Sequence, residues 1–191
     1  MKYYIILYKH TLYMSSIATP DTKIIDIFIR KTPNAKYNTQ YGIAFECVEL
    51  IRRFFSTIKG YTYPDVVDAV DFFNKINELT STTRKDTTIP LQTYSYPYKY
   101  TSSYYLQPGS ILFWKYKKTT FPYGHVALIL DSNSKTTVIL QQNLNPAVKI
   151  INTKELFDKM NDPKSKFLGI KTIPPEISTN IKNIEYRVIR L

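Results

Sequence analysis

The apolar positions of the chain change their spacing near residue 44. From there they recur every three or four residues, as on one face of a helix, at Val48, Ile51, Phe55 and Ile58. Gly60 follows this run, and glycine is typical of the residue that ends a helix. We therefore predict an amphipathic helix from about residue 44 to residue 60.

A second helix is predicted across residues 65–79. Its apolar side would consist of Val66, Val67, Val70, Phe73 and Ile76. Three acidic residues lie together on another face of this helix: Asp65, Asp68 and Asp71. Such a stripe could attract a cation, but a solvated acidic face is the commoner outcome, and we interpret it so.

Short apolar runs predict strands in the rest of the chain. The early strands occupy residues 3–8 and 24–30, before a polar loop at 31–42. The later ones occupy 108–114, 124–130 and 136–143, with a hairpin turn at 131–135, and then 167–173 and 184–190, after a short helix near 153–160. Helices that precede a run of antiparallel strands predict an α+β fold.

Residues 80–108 are rich in threonine, tyrosine and proline and show no clear period. A segment of this length and composition is either a lid or binding loop, or a surface loop packed through its tyrosines. Both interpretations stay open.

Composition limits the class of protein. With 191 residues, 43% of them hydrophobic, the chain has the size of one domain, which we place at 1–191. One cysteine excludes an internal disulfide. The N-terminal segment lacks the features of a signal peptide, and no apolar run is long enough to span a bilayer. These features predict a cytoplasmic protein, or one packaged in a virion if the source is a virus.

The net charge of +11 reflects 26 basic and 15 acidic residues. Such an excess raises the encounter rate with polyanions, so nucleic acid or an anionic glycan is an expected partner. The charges are spread along the chain, however, and a role in solubility is an equally good interpretation. The densest basic runs, at 84–85 and 115–118, are too short to form a nucleic-acid-binding tail.

Cys47 lies in the first turn of the predicted helix. Single cysteines on apolar helix faces are usually core residues. The N–H groups and the dipole at a helix N-terminus nevertheless favour a thiolate, which is the nucleophilic form. Cys47 is therefore a candidate nucleophile, for which we expect a thiolate-favouring environment.

A cysteine nucleophile needs a base, and the chain has two histidines, His10 and His125. His10 lies in the N-terminal segment. His125 lies in a predicted strand directly after Gly124, which we expect to leave open space beside the imidazole. The alternative for His125 is a core histidine with satisfied hydrogen bonds.

A third group must orient the imidazole, and the next strand offers Gln141, Gln142 and Asn143. Opposed residues of an antiparallel hairpin point to the same face, so the loop length decides which of them meets His125. An odd loop brings Gln141 or, two residues longer, Asn143; an even loop brings Gln142. Any of these amides can accept a hydrogen bond from the imidazole N–H.

Four segments together resemble a known family: GIAFECVELIRRFF (42–55), PGSILFW (108–114), YGHVALIL (123–130) and VILQQNLNP (138–146). They resemble the cysteine, histidine-dependent amidohydrolase/peptidase (CHAP) family over about residues 36–150. The strongest likeness is to the amidase domains of bifunctional glutathionylspermidine synthetase/amidase enzymes. The resemblance implies a papain-like α+β fold of the NlpC/P60 type, with the cysteine at a helix N-terminus against an antiparallel sheet that carries the histidine.

The resemblance also implies roles for single residues. Cys47 would be the nucleophile, His125 the base, and Gln141 the third catalytic residue, where the amidase has a glutamate. Arg52 matches an arginine that helps to hold substrate, although a surface salt bridge with Glu49 or Glu46 is the alternative. Together with Arg52, the residues Glu46, Gln142 and Asn143 form the expected substrate-binding set. No metal or cofactor is expected.

The expected activity is hydrolysis of an amide bond through a thiol acyl-enzyme. The substrate would be a polyamine conjugate similar to glutathionylspermidine, or a peptidoglycan-type peptide. A basic protein steers a polyamine poorly, although Glu46, Asp65 and Asp68 could offset this locally. The alternatives are a catalytically inactive CHAP-like binding or structural protein, and a basic protein associated with nucleic acid.

Overall fold

The computed structural model describes residues 6–8, 11–13, 23–29, 38–96, 106–116, 123–144, 146–159, 165–178 and 184–190. Predictions that concern His10 and residues 97–105 therefore lie outside the described residues. The strands that precede the first helix are β1 (Ile6–Tyr8), β2 (Thr11–Tyr13), β3 (Lys23–Ile29), β4 (Asn38–Thr39) and β5 (Gly42–Ile43).

The helix predicted from residue 44 is present and carries the central apolar face of the fold. Helix α1 runs over Cys47–Phe54 and continues as one π-helical segment, Phe55–Lys59. Gly60 ends it in a left-handed conformation, with φ of 71°, which glycine adopts without strain. The buried side is Leu50, Ile51, Phe54, Phe55 and Ile58.

The second helix, α2 (Ala69–Lys75), is shorter than predicted. Asp68 is the N-cap of this helix. Its backbone is extended, and its carboxylate accepts a hydrogen bond from the N–H of Asp71 at 2.8 Å. The buried residues are Ala69 and Phe72, whereas Val67 is 79% exposed. The predicted apolar side was therefore partly wrong, because residues 65–67 precede the helix.

The remaining elements are β6 (Tyr61–Thr62), β7 (Glu78–Ser81), β8 (Thr88–Pro90), β9 (Gln92–Ser95), β10 (Ile111–Tyr116), β11 (His125–Ser132), β12 (Thr136–Leu140), β13 (Val148–Asn152), α3 (Thr153–Lys159), β14 (Ser165–Thr172), α4 (Pro175–Ser178) and β15 (Ile184–Arg190). The predicted late strands, the turn between β11 and β12 and the helix near 153–160 are present, although β12 ends at Leu140, before residue 143. The prediction that residues 80–108 lack regular structure was wrong, since β8 and β9 lie there.

The main sheet is antiparallel, with the strand order β13-β12-β11-β10-β14-β9. Successive side chains of its strands point to opposite faces. On one face, residues such as Phe113, Val126 and Leu128 share a core with α1 and α2. On the other, Ala127 and Ile129 share a second core with Leu156 of α3. This arrangement is consistent with the predicted α+β class.

Strand β3 packs outside the main sheet. It pairs in parallel with β15, the last described strand, to form a small two-stranded sheet. Ile25 and Ile27 of β3 are almost fully buried and belong to the same core as α1. Separately, no helix among the described residues is long and apolar enough to cross a membrane.

Candidate active site

Cys47 is the first residue of α1, and the chain reaches it through a strained turn. Phe45 has a φ of 78°, which is unusual for a bulky side chain, yet its ring is 1% exposed and held in the core. Glu46 then takes an extended conformation at the helix N-cap, and its N–H bonds the carbonyl of Ile43 at 3.2 Å. The turn fixes the direction in which the Cys47 thiol enters the site.

The thiol of Cys47 lies against the beginning of β11. It is 8% exposed and lies close to the backbone of Val126. Burial raises the pKa of the Cys47 thiol from 9.0 to about 11, and the negative charge of Glu46 acts in the same direction. The expectation of a thiolate-favouring environment is therefore wrong for the unliganded protein, because desolvation outweighs the helix N-terminus and the backbone hydrogen bonds.

His125 is the first residue of β11 and is paired with Trp114 of β10. The two rings have centroids 6.1 Å apart. His125 is 6% exposed, and burial lowers the pKa of its imidazole from 6.5 to about 4. The imidazole is therefore neutral at physiological pH, which is the form that can accept a proton.

Gln141 holds the imidazole. Its side-chain Nε2 donates to the carbonyl of Pro146 at 2.9 Å, so its Oε1 is the atom that lies 3.3 Å from His125 Nε2. This orientation of the amide requires the proton of the neutral ring to be on Nε2. The His125 atom left to act as a base is then Nδ1.

The register of β11 and β12 alone does not bring Gln141 opposite His125. Leu128 is opposite Leu140, and continuing that register would place Asn143 opposite His125. The ladder between β11 and β12 ends at Leu140, however, and the N–H of Gln141 bonds the carbonyl of Ala147, directly before β13, at 2.8 Å. Gln141 therefore reaches the imidazole diagonally. The prediction of a strand as far as residue 143 was wrong at its C-terminal end.

The nucleophile candidate and the base candidate lie at the same end of β11, without a direct bond between them. Among the described residues no hydrogen bond joins the Cys47 thiol to the His125 ring; the thiol contacts the backbone of Val126, and the ring contacts Gln141. Catalytic hydrogen bonds are often long or misaligned in unliganded enzymes and tighten when substrate binds.

Gly124 does not leave open space beside His125, contrary to the expectation from the sequence. Its φ is 70°, and an added Cβ would collide with the carbonyl oxygen of Trp114 and lie 3.2 Å from Val70. The glycine is there because β10 and α2 approach the backbone closely. In addition, the N–H of Ala69 bonds the carbonyl of Tyr123, at 3.1 Å, which fixes α2 beside the start of β11.

Arg52 is already engaged within the protein. It donates to the carbonyls of Tyr41, at 2.9 Å, and Pro64, at 2.6 Å, and pairs with the carboxylate of Asp65. Its guanidinium also lies over the ring of Tyr63, 4.9 Å from the centroid. The suggested salt bridge of Arg52 with Glu49 or Glu46 is therefore wrong. Substrate binding by Arg52 stays a prediction, in which substrate would replace Asp65.

The other predicted substrate-binding residues lie in different environments. Glu46 is half-buried beside Cys47, and Asn143 is exposed, with a left-handed φ of 69°. Gln142 is 1% exposed, and its amide bonds to Glu49 and Arg53. The prediction that Gln142 contacts substrate is wrong for this conformation, because no part of its amide faces solvent.

The acidic stripe predicted near α2 is taken up by local contacts. Asp68 caps the helix, Asp71 pairs with Lys75 at 2.7 Å, and Asp65 pairs with Arg52. In the part of the chain that the structure describes, no three His, Cys, Asp or Glu side chains are placed to hold a metal ion.

Sequence reasoning missed Tyr63, which holds the first turn of α1. Its hydroxyl donates to the carbonyl of Val48 at 2.6 Å, and burial raises the pKa of Tyr63 well above its usual value. Tyr116 of β10 was also missed: burial raises the pKa of its phenol, and Tyr116 lies near enough to Cys47 for a negative charge on that sulfur to act in the same direction. No period or motif distinguishes these two among 17 tyrosines.

A family model for the CHAP domain matches residues 36–143, more than half of the chain. The chain belongs to the CHAP domain family. CHAP domains have a papain-like fold and are generally amidases or peptidases, typically with a catalytic cysteine, so family membership indicates a hydrolase. A search of curated proteins finds no match. The nearer likeness to glutathionylspermidine amidases stays a prediction.

Proposed function

We propose that this CHAP protein is a thiol-dependent amidase or peptidase, with Cys47 as nucleophile, His125 as base and Gln141 as the group that orients the base. The observation that carries the proposal is the hydrogen bond that His125 Nε2 donates to Gln141 Oε1, at 3.3 Å. This bond is at the same end of β11 as the Cys47 thiol. A core histidine needs only a hydrogen-bond partner; it does not need a cysteine at a helix N-terminus beside it.

In the acylation step, a C–S bond to Cys47 replaces the C–N bond of the substrate, and one proton moves from the thiol to the leaving amine through His125. His125 Nδ1 takes the proton of the Cys47 thiol as the sulfur attacks the substrate carbonyl carbon. The backbone N–H of Cys47, at the N-terminus of α1, would donate to the oxyanion. The C–N bond then breaks, and the imidazolium gives its proton to the leaving amine.

Deacylation repeats these roles with water. Neutral His125 removes a proton from water, which attacks the Cys47 thioester and releases the carboxylic acid. The proton returns to the thiolate. Gln141 keeps the ring in one tautomer through both half-reactions, but as a neutral amide it adds no charge to stabilise the imidazolium.

The pKa values place the proton on sulfur before substrate arrives. With the pKa of Cys47 near 11 and that of His125 near 4, the stable pair at neutral pH is thiol and imidazole. Proton transfer must then accompany attack on the carbonyl. Activity should therefore require neutral His125 and fall as pH decreases toward about 4.

The substrate is proposed as a peptide amide, either of the glutathionylspermidine type or of the peptidoglycan type. Glu46 favours a substrate with a cationic group near the scissile bond, because its carboxylate is close enough to Cys47 to raise the pKa of the thiol. Both substrate types can present an amine there. Asn143 is exposed and remains a proposed substrate contact.

The experiment is a comparison of both substrate types with wild-type protein and Cys47→Ala. We expect release of new primary amines from glutathionylspermidine or from purified peptidoglycan, measured with a fluorogenic amine reagent, and no release by the variant. Equal release by both proteins would show that Cys47 does not carry the reaction.

A catalytically inactive CHAP-like binding protein is the second candidate. It is favoured by the absence, among residues 38–96 and 123–144, of a hydrogen bond between the Cys47 thiol and the His125 ring, and by the neutral Gln141. An inactive protein would bind the same peptides without releasing an amine. If the anionic partner were nucleic acid, binding would weaken steeply as salt increases.

We also infer that residues 1–191 form one domain. The support is that β3, which precedes the region matched by the family model, contributes Ile25 and Ile27 to the core beneath α1.

A further inference from the structure

A buried set of hydrogen bonds joins α1 to the segment that follows β12. Arg53 is at its centre. Its Nε donates to Glu49 Oε1 at 2.8 Å, and one terminal nitrogen donates to Glu49 Oε2 and to Gln142 Oε1, both at 3.3 Å. The other terminal nitrogen donates to the backbone carbonyl of Asp26 in β3. One guanidinium thus contacts three separate parts of the chain.

The amide of Gln142 completes the connection. Its Nε2 donates to Glu49 Oε2 and to the backbone carbonyl of Glu46, each at 3.0 Å. Glu46 directly precedes Cys47, and Gln142 directly follows Gln141. A single side chain therefore connects the residue before the nucleophile to the residue after the one that orients His125.

These groups have little contact with solvent. Glu49 is 2% exposed, Arg53 6% and Gln142 1%. Thr39 Oγ1 also donates to Glu49 Oε1, at 3.0 Å, so that Glu49 has partners on three sides. A buried polar network with satisfied partners favours one geometry strongly, because any displacement leaves a buried charge or amide without a partner.

We propose that Arg53 is a positioning residue, which fixes the segment after β12 against α1 and so places Gln141 and His125 relative to Cys47. The inference rests on the proposed function, since Cys47, His125 and Gln141 are its catalytic residues. Arginine suits this task because its planar fork reaches several acceptors at fixed angles, which the single ammonium of lysine cannot do.

The inference also gives β3 a role in the site. Strand β3 lies outside residues 36–143, which the family model matches, yet the carbonyl of Asp26 accepts a hydrogen bond from Arg53. Strand β3 is in turn paired in parallel with β15, in which Arg187 lies opposite Asp26. The elements that flank the CHAP region therefore help to hold its catalytic helix.

The test uses Arg53→Lys and Gln142→Asn in the full chain. The first keeps the positive charge beside Glu49 but loses the fork. The second keeps the amide but shortens the side chain by one methylene. Lys171→Met is the matched control, because Lys171 is fully buried in β14 and donates to Asn77 and Thr93, which lie outside the network.

Two quantities are measured in each protein. One is the rate of acetylation of Cys47 by p-nitrophenyl acetate at pH 7. The other is the midpoint of the His125 titration, followed by NMR of protein labelled in its two histidines. We expect the two network variants to be acetylated at least about tenfold more slowly. Their His125 midpoint should rise from about 4 toward 6.5, since water would reach the ring.

Lys171→Met should lower stability and leave both quantities unchanged. If both network variants match Lys171→Met, the positioning role is overturned; Gln142→Asn alone decides this if Arg53→Lys does not fold. If wild-type Cys47 is not acetylated but the His125 midpoint still moves in the network variants, the proposed function fails and the positioning role stands.

Discussion

Acidification should destabilise the protein through His125. The perturbation is a decrease in pH from 7 to 4. In the folded protein burial lowers the pKa of His125 to about 4, whereas in the unfolded chain it should have its ordinary value of 6.5. Below pH 6.5 the histidine of the unfolded chain binds a proton, whereas His125 in the folded protein stays neutral. The free energy of unfolding therefore begins to decrease as the pH falls through 6.5, and it decreases further until the pH reaches about 4.

The size of the effect follows from this difference in pKa. At pH 4 the unfolded histidine is almost fully protonated and the folded one is half protonated, which corresponds to a loss of about 3 kcal/mol relative to pH 7. Because His125 is 6% exposed, little solvent is available to reduce this loss. The loss is a large part of the stability of a typical domain, about 5–15 kcal/mol.

The assay is urea unfolding of wild-type protein and His125→Gln at several pH values between 7 and 4. Carboxylates and His10 titrate in both proteins, so the difference between the two free energies of unfolding isolates His125. We expect this difference to change by about 3 kcal/mol across the range, in favour of the variant at low pH. A difference that is the same at pH 7 and pH 4 would refute the conclusion that His125 is buried and neutral.

Three further predictions concern single substitutions. Gln141→Glu should raise the pKa of His125 by about 1 to 3, because a carboxylate would replace a neutral amide 3.3 Å from the ring. The pKa would be measured by NMR titration of the histidines, and an unchanged midpoint would contradict the contact between residue 141 and the His125 ring. Gly124→Ala should lower the free energy of unfolding, measured with urea, by at least about 2 kcal/mol, since φ is 70° and the new Cβ would collide with the Trp114 carbonyl. The control is Gly60→Ala, whose new Cβ would meet only Thr82 Oγ1, at 3.8 Å, and which should cost less. Glu49→Ala should cost about 3–5 kcal/mol, because it leaves Arg53 buried without its carboxylate. Asp71→Ala breaks the more exposed pair with Lys75 and should cost clearly less; similar losses in the two variants would mean that the Glu49 pair is hydrated.

The sequence was sufficient where a local period or motif determines structure. The spacing of Val48, Ile51, Phe55 and Ile58 located α1, and Gly60 located its end, because these depend on helix geometry and on the conformational freedom of glycine. The family resemblance rested on four segments and was confirmed by the family model.

The features that the sequence did not predict depend on contacts between distant segments. Glu49 lies three residues before Arg52 and four before Arg53, so helix spacing allows either pair, yet Arg52 pairs with Asp65 and only Arg53 pairs with Glu49. The choice of Gln141 as the partner of His125 depends on where the pairing of β12 with β11 ends and on the contact of the Gln141 amide with the carbonyl of Pro146. The raised pKa of Cys47 depends on the depth of burial, which a helix N-terminus alone does not reveal.

The most direct test of the central claim is the formation of an acyl-enzyme on Cys47. Wild-type protein, Cys47→Ser and His125→Ala would be mixed with p-nitrophenyl acetate at pH 7, and nitrophenolate release and intact mass would be followed together. We predict a burst of about one equivalent with an acetyl group on Cys47, no burst in Cys47→Ser, and acylation slower by about 100-fold or more in His125→Ala. Acylation at the same rate in wild-type protein and His125→Ala, or no acyl group on Cys47, would contradict the account.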